Sequence, residues 1–317
     1  MKEMGGYLQL DRGVKPVYHK GAVALNSARN AVAYLKMAKT IKKLYLPYYL
    51  CASVFETCER EGIEYEFYHV DGKFLPVFDK ELKDGEYLYV VNYFGQVSKK
   101  EIIKLKKRFK NIIVDNVQAF YKKAIKGIDT IYSCRKFFGV PDGAYLACDL
   151  KGVQLEEDFS AERMKHVLGR VEGKTASANY KDFQQNEELI DKLPLRAMSK
   201  LTETILSTID YKLIEKKRLE NWKVLEKALK DKNKLELTTT KGPYCYPFYC
   251  ENGIEIRKKL AKVGIFVPTL WPNVLEYAGC DLEKDYVQNI LPLPCDQRYT
   301  KEDMKMLAEI LLNESGL

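Results

Sequence analysis

Apolar positions along the first 150 residues alternate between helical patterns and short continuous runs. Residues 27–40, 51–61 and 99–110 have the patterns of helices, the first of them capped by Asn26 or Ser27. The apolar runs between and after these helices predict strands at 43–46, 64–70, 86–94, 111–115, 130–133 and 144–150. Strands and helices in this rhythm predict an α/β protein with a mostly parallel sheet covered on both faces.

The second half of the chain has a different pattern. Residues 151–197 are polar and irregular, and a long helical pattern then begins near Met198 and runs past Leu225. Beyond it, 233–317 predict a smaller α+β unit with strands near 235–238 and 246–250 and helices near 253–263 and 301–313. We therefore predict a large domain at 1–210 and a smaller C-terminal domain at 211–317, joined by the long helix that starts near 198.

Composition narrows the class of protein. Apolar residues make up 46% and charged residues 30% of the 317 positions, the balance of a folded soluble protein. No stretch approaches the roughly 20 apolar residues of a membrane helix, and the first residues lack the apolar core of a signal peptide. We expect a cytoplasmic protein with reduced thiols. Its eight cysteines form no CxxC pair and it has three histidines, so we predict no metal site.

The positive charge does not indicate a nucleic-acid partner. Lysine and arginine exceed aspartate and glutamate by eight, and the densest run of lysines is at 99–110. There Ile102, Leu105 and Phe109 mark an apolar stripe at helical spacing, which leaves the lysines on a solvated face. No nucleic-acid-binding module is recognisable, and we expect that the protein does not bind nucleic acid.

Three short segments with polar or charged residues lie near strand ends. In α/β sheets, ligands bind at the carboxyl ends of the strands. The start of a helix at LNSARNA (25–31) offers N–H groups, the hydroxyl of Ser27 and the charge of Arg29 to a phosphate. Asp115 ends a buried apolar strand, where a carboxylate needs a cation. Lys136 follows another strand, between Ser133 and a GVPDG turn. Each feature alone has a commoner explanation, as a helix cap, a structural carboxylate or a solvated lysine.

Taken together, these segments resemble the DegT/DnrJ/EryC1/StrS family of sugar aminotransferases, which depend on pyridoxal 5'-phosphate (PLP) and have the aspartate aminotransferase fold, type I. The family's Asp-x-x-Gln and Ser-x-x-Lys elements correspond to DNVQ at 115–118 and SCRK at 133–136. Its phosphate-binding helix start corresponds to SARN at 27–30. Further similar segments, in the family's order, are 46–53, 90–96, 198–221 and 290–304.

The resemblance implies a function and roles for individual residues. Lys136 would bond to the cofactor's aldehyde, and Asp115 would hold the proton on its ring nitrogen. The other cofactor-binding residues that it implies are Ser27, Ala28, Arg29, Tyr49, Cys51, Gln118, Ser133 and Asn179. The implied reaction moves an amino group from an amino acid, which we expect to be glutamate, to a keto sugar. We expect that sugar to be nucleotide-linked and the pathway to be cell-surface polysaccharide or secondary-metabolite biosynthesis. The family's members are homodimers with active sites at the subunit interface, which predicts a homodimer here.

The chain also departs from the family pattern. Ala28 and Arg29 replace a glycine and a threonine or serine, and Cys51 stands where an aromatic ring often stacks on the cofactor; Tyr48 or Tyr49 could take that part. Asn179 could supply the amide that reaches the neighbouring subunit, or that contact is lost. An alternative hypothesis is therefore a catalytically altered or non-enzymatic family member that binds a nucleotide sugar or a partner. Dehydration is disfavoured, because the family's 3-dehydratases carry histidine where this chain has Lys136.

Overall fold

A single eight-stranded sheet forms the centre of the N-terminal two-thirds of the chain. The computed structural model describes residues 4–150 and 152–315. The strands are β1 (Val23–Leu25), β2 (Lys43–Pro47), β3 (Glu64–Val70), β4 (Pro76–Val77), β5 (Glu86–Val91), β6 (Ile112–Asp115), β7 (Asp129–Ser133) and β8 (Ala144–Ala147). Their spatial order is β1-β8-β7-β6-β5-β2-β3-β4. The four central pairs, from β7 to β3, are parallel, and the pairs at the two edges are antiparallel. This confirms the predicted α/β class with a mostly parallel sheet.

Three helices connect the strands close to where the sequence predicts them. They are α1 (Asn30–Ala38), α2 (Ala52–Glu61) and α3 (Lys99–Phe109). The lysine-rich α3 begins with a capping box formed by Ser98 and Glu101, which satisfies two helix-end N–H groups. The prediction that Asn26 or Ser27 caps α1 is wrong, because α1 begins after Arg29 with no side-chain cap. Asn26 instead uses its amide to bind the carbonyl of Pro194.

The region between the sheet and the C-terminal unit is more helical than predicted. Residues 151–197, predicted to be irregular, contain α4 (Lys165–Val171) and α5 (Tyr180–Lys192). Many of their apolar side chains point outward, so an inward-facing stripe is hard to recognise; exposed ones are Leu168, Val171, Tyr180, Phe183 and Leu189. An ordinary surface helix has polar residues on its outward face, so these two helices do not show the usual amphipathic pattern.

The long helix predicted from 198 is two helices, α6 (Lys200–Thr208) and α7 (Tyr211–Leu229). Ile209 between them has extended backbone angles, φ −70° and ψ 129°. The carboxylate of Asp210 then accepts the N–H of Leu213 and caps α7. The apolar spacing of four continues across this break, so spacing alone does not reveal it.

The C-terminal unit consists of β9 (Tyr246–Tyr249), α8 (Gly253–Lys262), α9 (Asp281–Asn289), β10 (Ile290–Leu293) and α10 (Lys301–Ser315). β9 and β10 pair antiparallel. The strand predicted near 235–238 is absent. Instead, Asn233 binds the edge of β9: its amide donates to Pro247 O, and its carbonyl accepts the N–H of Tyr249. A side chain thus occupies the backbone groups that a further strand would need.

Two of the three hydrophobic clusters among the described residues form the cores of the sheet and of the C-terminal unit. One lies around the sheet and includes a few residues of α9. The other joins α7, α8 and α10 to the two-stranded sheet and is centred on Trp222, Leu225, Phe248, Leu291 and Leu307. None of the described helices combines the length and the apolar character that crossing a bilayer requires.

Candidate active site

The parallel strands β6 and β7 bring two of the predicted motifs to one edge of the sheet. Asp115 is the last residue of β6 and pairs in register with Ile131 of β7. Ser133 ends β7, and Lys136 follows within a single turn of chain. The carboxyl ends of neighbouring parallel strands share an edge, so the acid and the lysine come from separate motifs to the same place.

Asp115 is a buried carboxyl held by two donors. The hydroxyl of Tyr89 donates to Oδ2 at 2.9 Å, and the N–H of Val117 donates to Oδ1 at 2.8 Å. Burial raises the pKa of Asp115 to about 6, against the opposing effects of these two donors and of the charge of Lys136. This carboxyl can therefore hold or share a proton close to neutral pH.

Lys136 lines a cleft, and its side chain is exposed to solvent there although the surrounding protein is dense. Desolvation lowers its pKa, and the charges of Arg135 and Arg29 act in the same direction, whereas Cys51 and Asp115 oppose the shift. These electrostatic neighbours come from four separate segments of the chain. The structure thus brings together Arg29, Cys51, Asp115 and Lys136, all of which the sequence singled out.

The segment before α1 supplies groups that suit an anion. Ser27 is buried, and its hydroxyl has no hydrogen-bond partner among the described residues. Arg29 forms an ion pair with Asp191 of α5, and Arg135 forms one with Glu187 of the same helix. Ala28 is partly buried against the sheet core. The unpaired hydroxyl of Ser27, the guanidinium of Arg29 two residues on and the start of a helix fit a phosphate, and the charge of Arg29 also acts on Arg135.

Gln118 and Ser133 are both buried at this edge. The Gln118 carbonyl accepts the N–H of Phe94 at 2.9 Å. Phe94 has φ 52°, a left-handed conformation that is uncommon for a residue with a side chain. Gln118 thereby stabilises the turn that follows β5, and only its amide end remains for a ligand.

The two tyrosines before Cys51 are engaged elsewhere. Tyr49 is fully buried and stacks on Tyr93, with ring centroids 5.2 Å apart. Tyr48 packs on Phe67 and on His69, at 5.0 and 4.8 Å. Of this segment, Cys51 is the residue that contributes to the electrostatics of Lys136.

Asn179 is also committed to contacts within its own region. It is buried at the start of α5, and its amide donates to the carbonyl of Thr175 at 3.3 Å. Its side chain packs so closely on Gly169 of α4 that a β-carbon there would lie 2.4 Å from its Oδ1. Within this chain, Asn179 thus joins α4 to α5 and is separate from the group around Lys136.

A cavity of about 660 Å³ extends from Lys136 toward the C-terminal unit. Its lining is rich in cations that the sequence patterns did not single out: Arg170, Arg218 and Arg298, together with His166. Arg218 is buried and donates to the carbonyls of Phe137 and Pro243. The segment QRY, within the 290–304 resemblance, was the one available signal for Arg298.

The sequence matches no protein-family model and no curated protein. Solved structures nevertheless share its architecture. A DegT/DnrJ/EryC1/StrS aminotransferase from Brucella abortus is 15% identical, with TM-score 0.60 over 93% of this chain and 86% of that one. The chain has the fold of these aminotransferases.

Two further structures support the same fold. A proposed sugar aminotransferase from Streptococcus pneumoniae, solved in its PLP form, is 14% identical, with TM-score 0.61 over 93% of this chain and 87% of that one. The sugar aminotransferase CalS13 from Micromonospora echinospora is 12% identical, with TM-score 0.63 over 93% and 87%. The predicted fold is thereby confirmed, and the activity has to be argued from the site.

Proposed function

We propose that this protein is a PLP-dependent aminotransferase of the DegT/DnrJ/EryC1/StrS family that aminates a keto sugar. The observation that carries the proposal is the convergence of Lys136, Asp115 and the segment at 27–29 on one edge of the sheet. A lysine with a lowered pKa beside a buried carboxyl is a combination that PLP enzymes require. The fold shared with solved aminotransferases adds support by analogy.

The residues present fit the cofactor. Lys136 would bond to its aldehyde and Asp115 would lie at its ring nitrogen. The unpaired hydroxyl of Ser27, with Arg29 and Arg135, would bind its phosphate. When bound, PLP supplies an aldehyde that takes up an amino group and a ring that accepts an electron pair.

The chain's own residues then have distinct tasks. Asp115, with a pKa raised to about 6 by burial, shares a proton with a basic nitrogen placed against it. Lys136, whose pKa is lowered by desolvation, more readily adopts the neutral amine form that accepts and returns protons in the site. Ser133 and Gln118 would complete the binding surface, and Cys51 would face the ring in place of an aromatic side chain.

The substrate proposal is a nucleotide-linked keto sugar with glutamate as the amino donor, in cell-surface polysaccharide or secondary-metabolite biosynthesis. The cation-rich cavity beside Lys136 supports the nucleotide linkage, because guanidinium groups such as those of Arg170 and Arg298 bind phosphates. A cytoplasmic location accords with such a substrate.

We further propose a homodimer and a division into domains near residue 210. Exposed apolar side chains on 159–189, among them Phe159 at 83% and Val171 at 80%, support an interface with a second copy. The separate core around Trp222 supports a C-terminal domain that begins with α7.

The test is covalent attachment of the cofactor. Purified protein mixed with PLP should develop the visible absorbance of a lysine-bound cofactor, and borohydride reduction followed by peptide mapping should place the label on Lys136. Lys136→Ala should lose both signals, whereas Lys122→Ala, a matched control at another lysine whose pKa is lowered by desolvation, should retain them. Unlabelled wild-type protein, or a label on another lysine, would refute the assignment.

The alternative is a family member without transaminase activity that binds a nucleotide sugar. The observations that favour it are Cys51 in place of a stacking ring and the engagement of Arg29 with Asp191. The two functions differ in one assay: an aminotransferase converts bound PLP to its amine form when glutamate is added and returns it when a keto sugar follows. A protein that binds nucleotide sugar and shows no such cycle is the non-enzymatic alternative.

A further inference from the structure

A second cluster of reactive side chains lies away from the proposed active site. It consists of His69, Cys280 and Glu283, whose potential ligand atoms all lie within 4.8 Å of one another. His69 belongs to β3, whereas Cys280 and Glu283 stand at the start of α9, more than 200 positions later. No short sequence motif could have predicted this group.

Glu283 is a buried carboxylate that lacks a strong counterion. It is 1% exposed, and its Oε1 accepts the N–H of Val70 at 3.0 Å and lies 3.1 Å from Nδ1 of His69. Among the described residues, no lysine or arginine forms an ion pair with it. A buried carboxylate is costly unless a cation meets it, and the half-exposed ring of His69 is a weak substitute for one.

Cys280 adds a second potential negative charge at the same place. Its side chain is fully buried, and the thiol contacts the carbonyl of Ala278 at 3.4 Å. A metal ion bound here would take Cys280 as its thiolate, because a coordinating thiol is deprotonated outright.

We propose that His69, Cys280 and Glu283 bind a zinc-like divalent metal ion. Imidazole nitrogen, thiolate sulfur and carboxylate oxygen are the ligands that Zn²⁺ takes in proteins, and water completes the fourth position. Binding breaks the S–H bond of Cys280 and releases the proton to solvent, so that one thiolate and one carboxylate neutralise the two charges of the ion. The solvent-facing ring of His69 gives the ion a path of entry.

The position of this site suggests what the metal does. It connects β3 of the large sheet to α9 of the C-terminal unit, at a junction where Glu283 already contacts His69 and Val70 and Tyr286 donates to the carbonyl of Asp71. Tyr48, whose ring lies 4.8 Å from that of His69, begins the loop that leads to Cys51. A bound ion would therefore tighten the junction between the large sheet and the C-terminal unit.

The experiment is a zinc titration of the purified protein, with its cofactor present, in competition with a chromophoric chelator. Wild type should take up one equivalent of Zn²⁺, and His69→Ala should weaken binding at least about tenfold, the smallest loss that even an outer-shell change typically causes. With Co²⁺ as the probe, a thiolate-to-metal absorption band should appear and should be lost in Cys280→Ser. Cys148→Ser, at a partly buried cysteine outside the cluster, is the matched control and should behave as wild type.

The titration distinguishes failure of the metal site from failure of the proposed aminotransferase function. Every variant keeps Lys136 and Asp115, so metal held by the cofactor contributes equally to all of them. His69→Ala changes a half-exposed side chain and should fold even where a change at buried Cys280 or Glu283 does not. Absence of tight binding by wild type, or equal affinity in His69→Ala, would overturn the metal site and leave the proposed aminotransferase function untouched.

Discussion

The carboxyl of Asp115 should make the cofactor-free protein less stable as the pH rises. Its folded-state pKa is about 6, against an ordinary value of 3.8, because burial disfavours the ionised form. The folded chain thus binds this proton more tightly than the unfolded chain does. The resulting stabilisation is complete below pH 3.8 and is lost as the pH rises through 6.

The magnitude follows from the two pKa values. Their difference corresponds to about 3 kcal/mol between the protonated and ionised forms. Wild type should lose about 1.4 kcal/mol of this stabilisation between about pH 5 and about pH 8. Asp115→Asn cannot titrate, so its free energy of unfolding should rise relative to wild type by that amount across this range. Any constant effect of the substitution on the bonds to Tyr89 and Val117 cancels in the comparison.

The assay is urea unfolding of both proteins, freed of cofactor, at several pH values. Tyr89→Phe is an informative companion: it removes a donor to the Asp115 carboxylate, so the pH dependence should move to higher pH. Parallel stability profiles for wild type and Asp115→Asn would refute the reasoning, since they would mean that burial of Asp115 does not shift its pKa.

Three further substitutions test separate parts of the structure. Ser27→Ala removes a hydroxyl that has no partner, so unfolding measurements should change by less than about 0.5 kcal/mol while PLP affinity falls about tenfold; equal affinity would exclude this hydroxyl from the phosphate site. Arg218→Ala breaks bonds from a buried guanidinium to Phe137, Pro243 and Gln297, and should lower the free energy of unfolding by about 3 kcal/mol; a loss below about 1 kcal/mol would contradict that role. Asp210→Ala removes the cap of α7 and should lower the free energy of unfolding, whereas Asp210→Asn should lower it less; equal stability of wild type and Asp210→Ala would contradict the cap.

Most of the sheet and its helices could be predicted because their signals are local. The β6 strand reads as a buried apolar run that ends on Asp115, and α3 as an apolar stripe opposite lysines. The segments that hold Lys136, Gln118 and Ser27 could be singled out because each is short and resembles a family element; their roles in binding a cofactor stay predictions. Prediction failed where a contact with a distant segment decides the local structure, as when Asn233, just before the strand predicted at 235–238, binds Pro247 and Tyr249 of β9.

The sequence by itself determined the class of fold and most elements of the large sheet, and its resemblance to a family pointed to a phosphate-bearing aldehyde cofactor. Tertiary structure alone decided which of those residues meet. It placed Arg29, Cys51 and Asp115 near Lys136. It also packed Tyr49 against Tyr93 in the core and Asn179 against Gly169. It also brought His69 against Cys280 and Glu283. The physical reason is that burial and charge interactions depend on distance in space, which strand pairing and helix packing set and local sequence patterns do not contain.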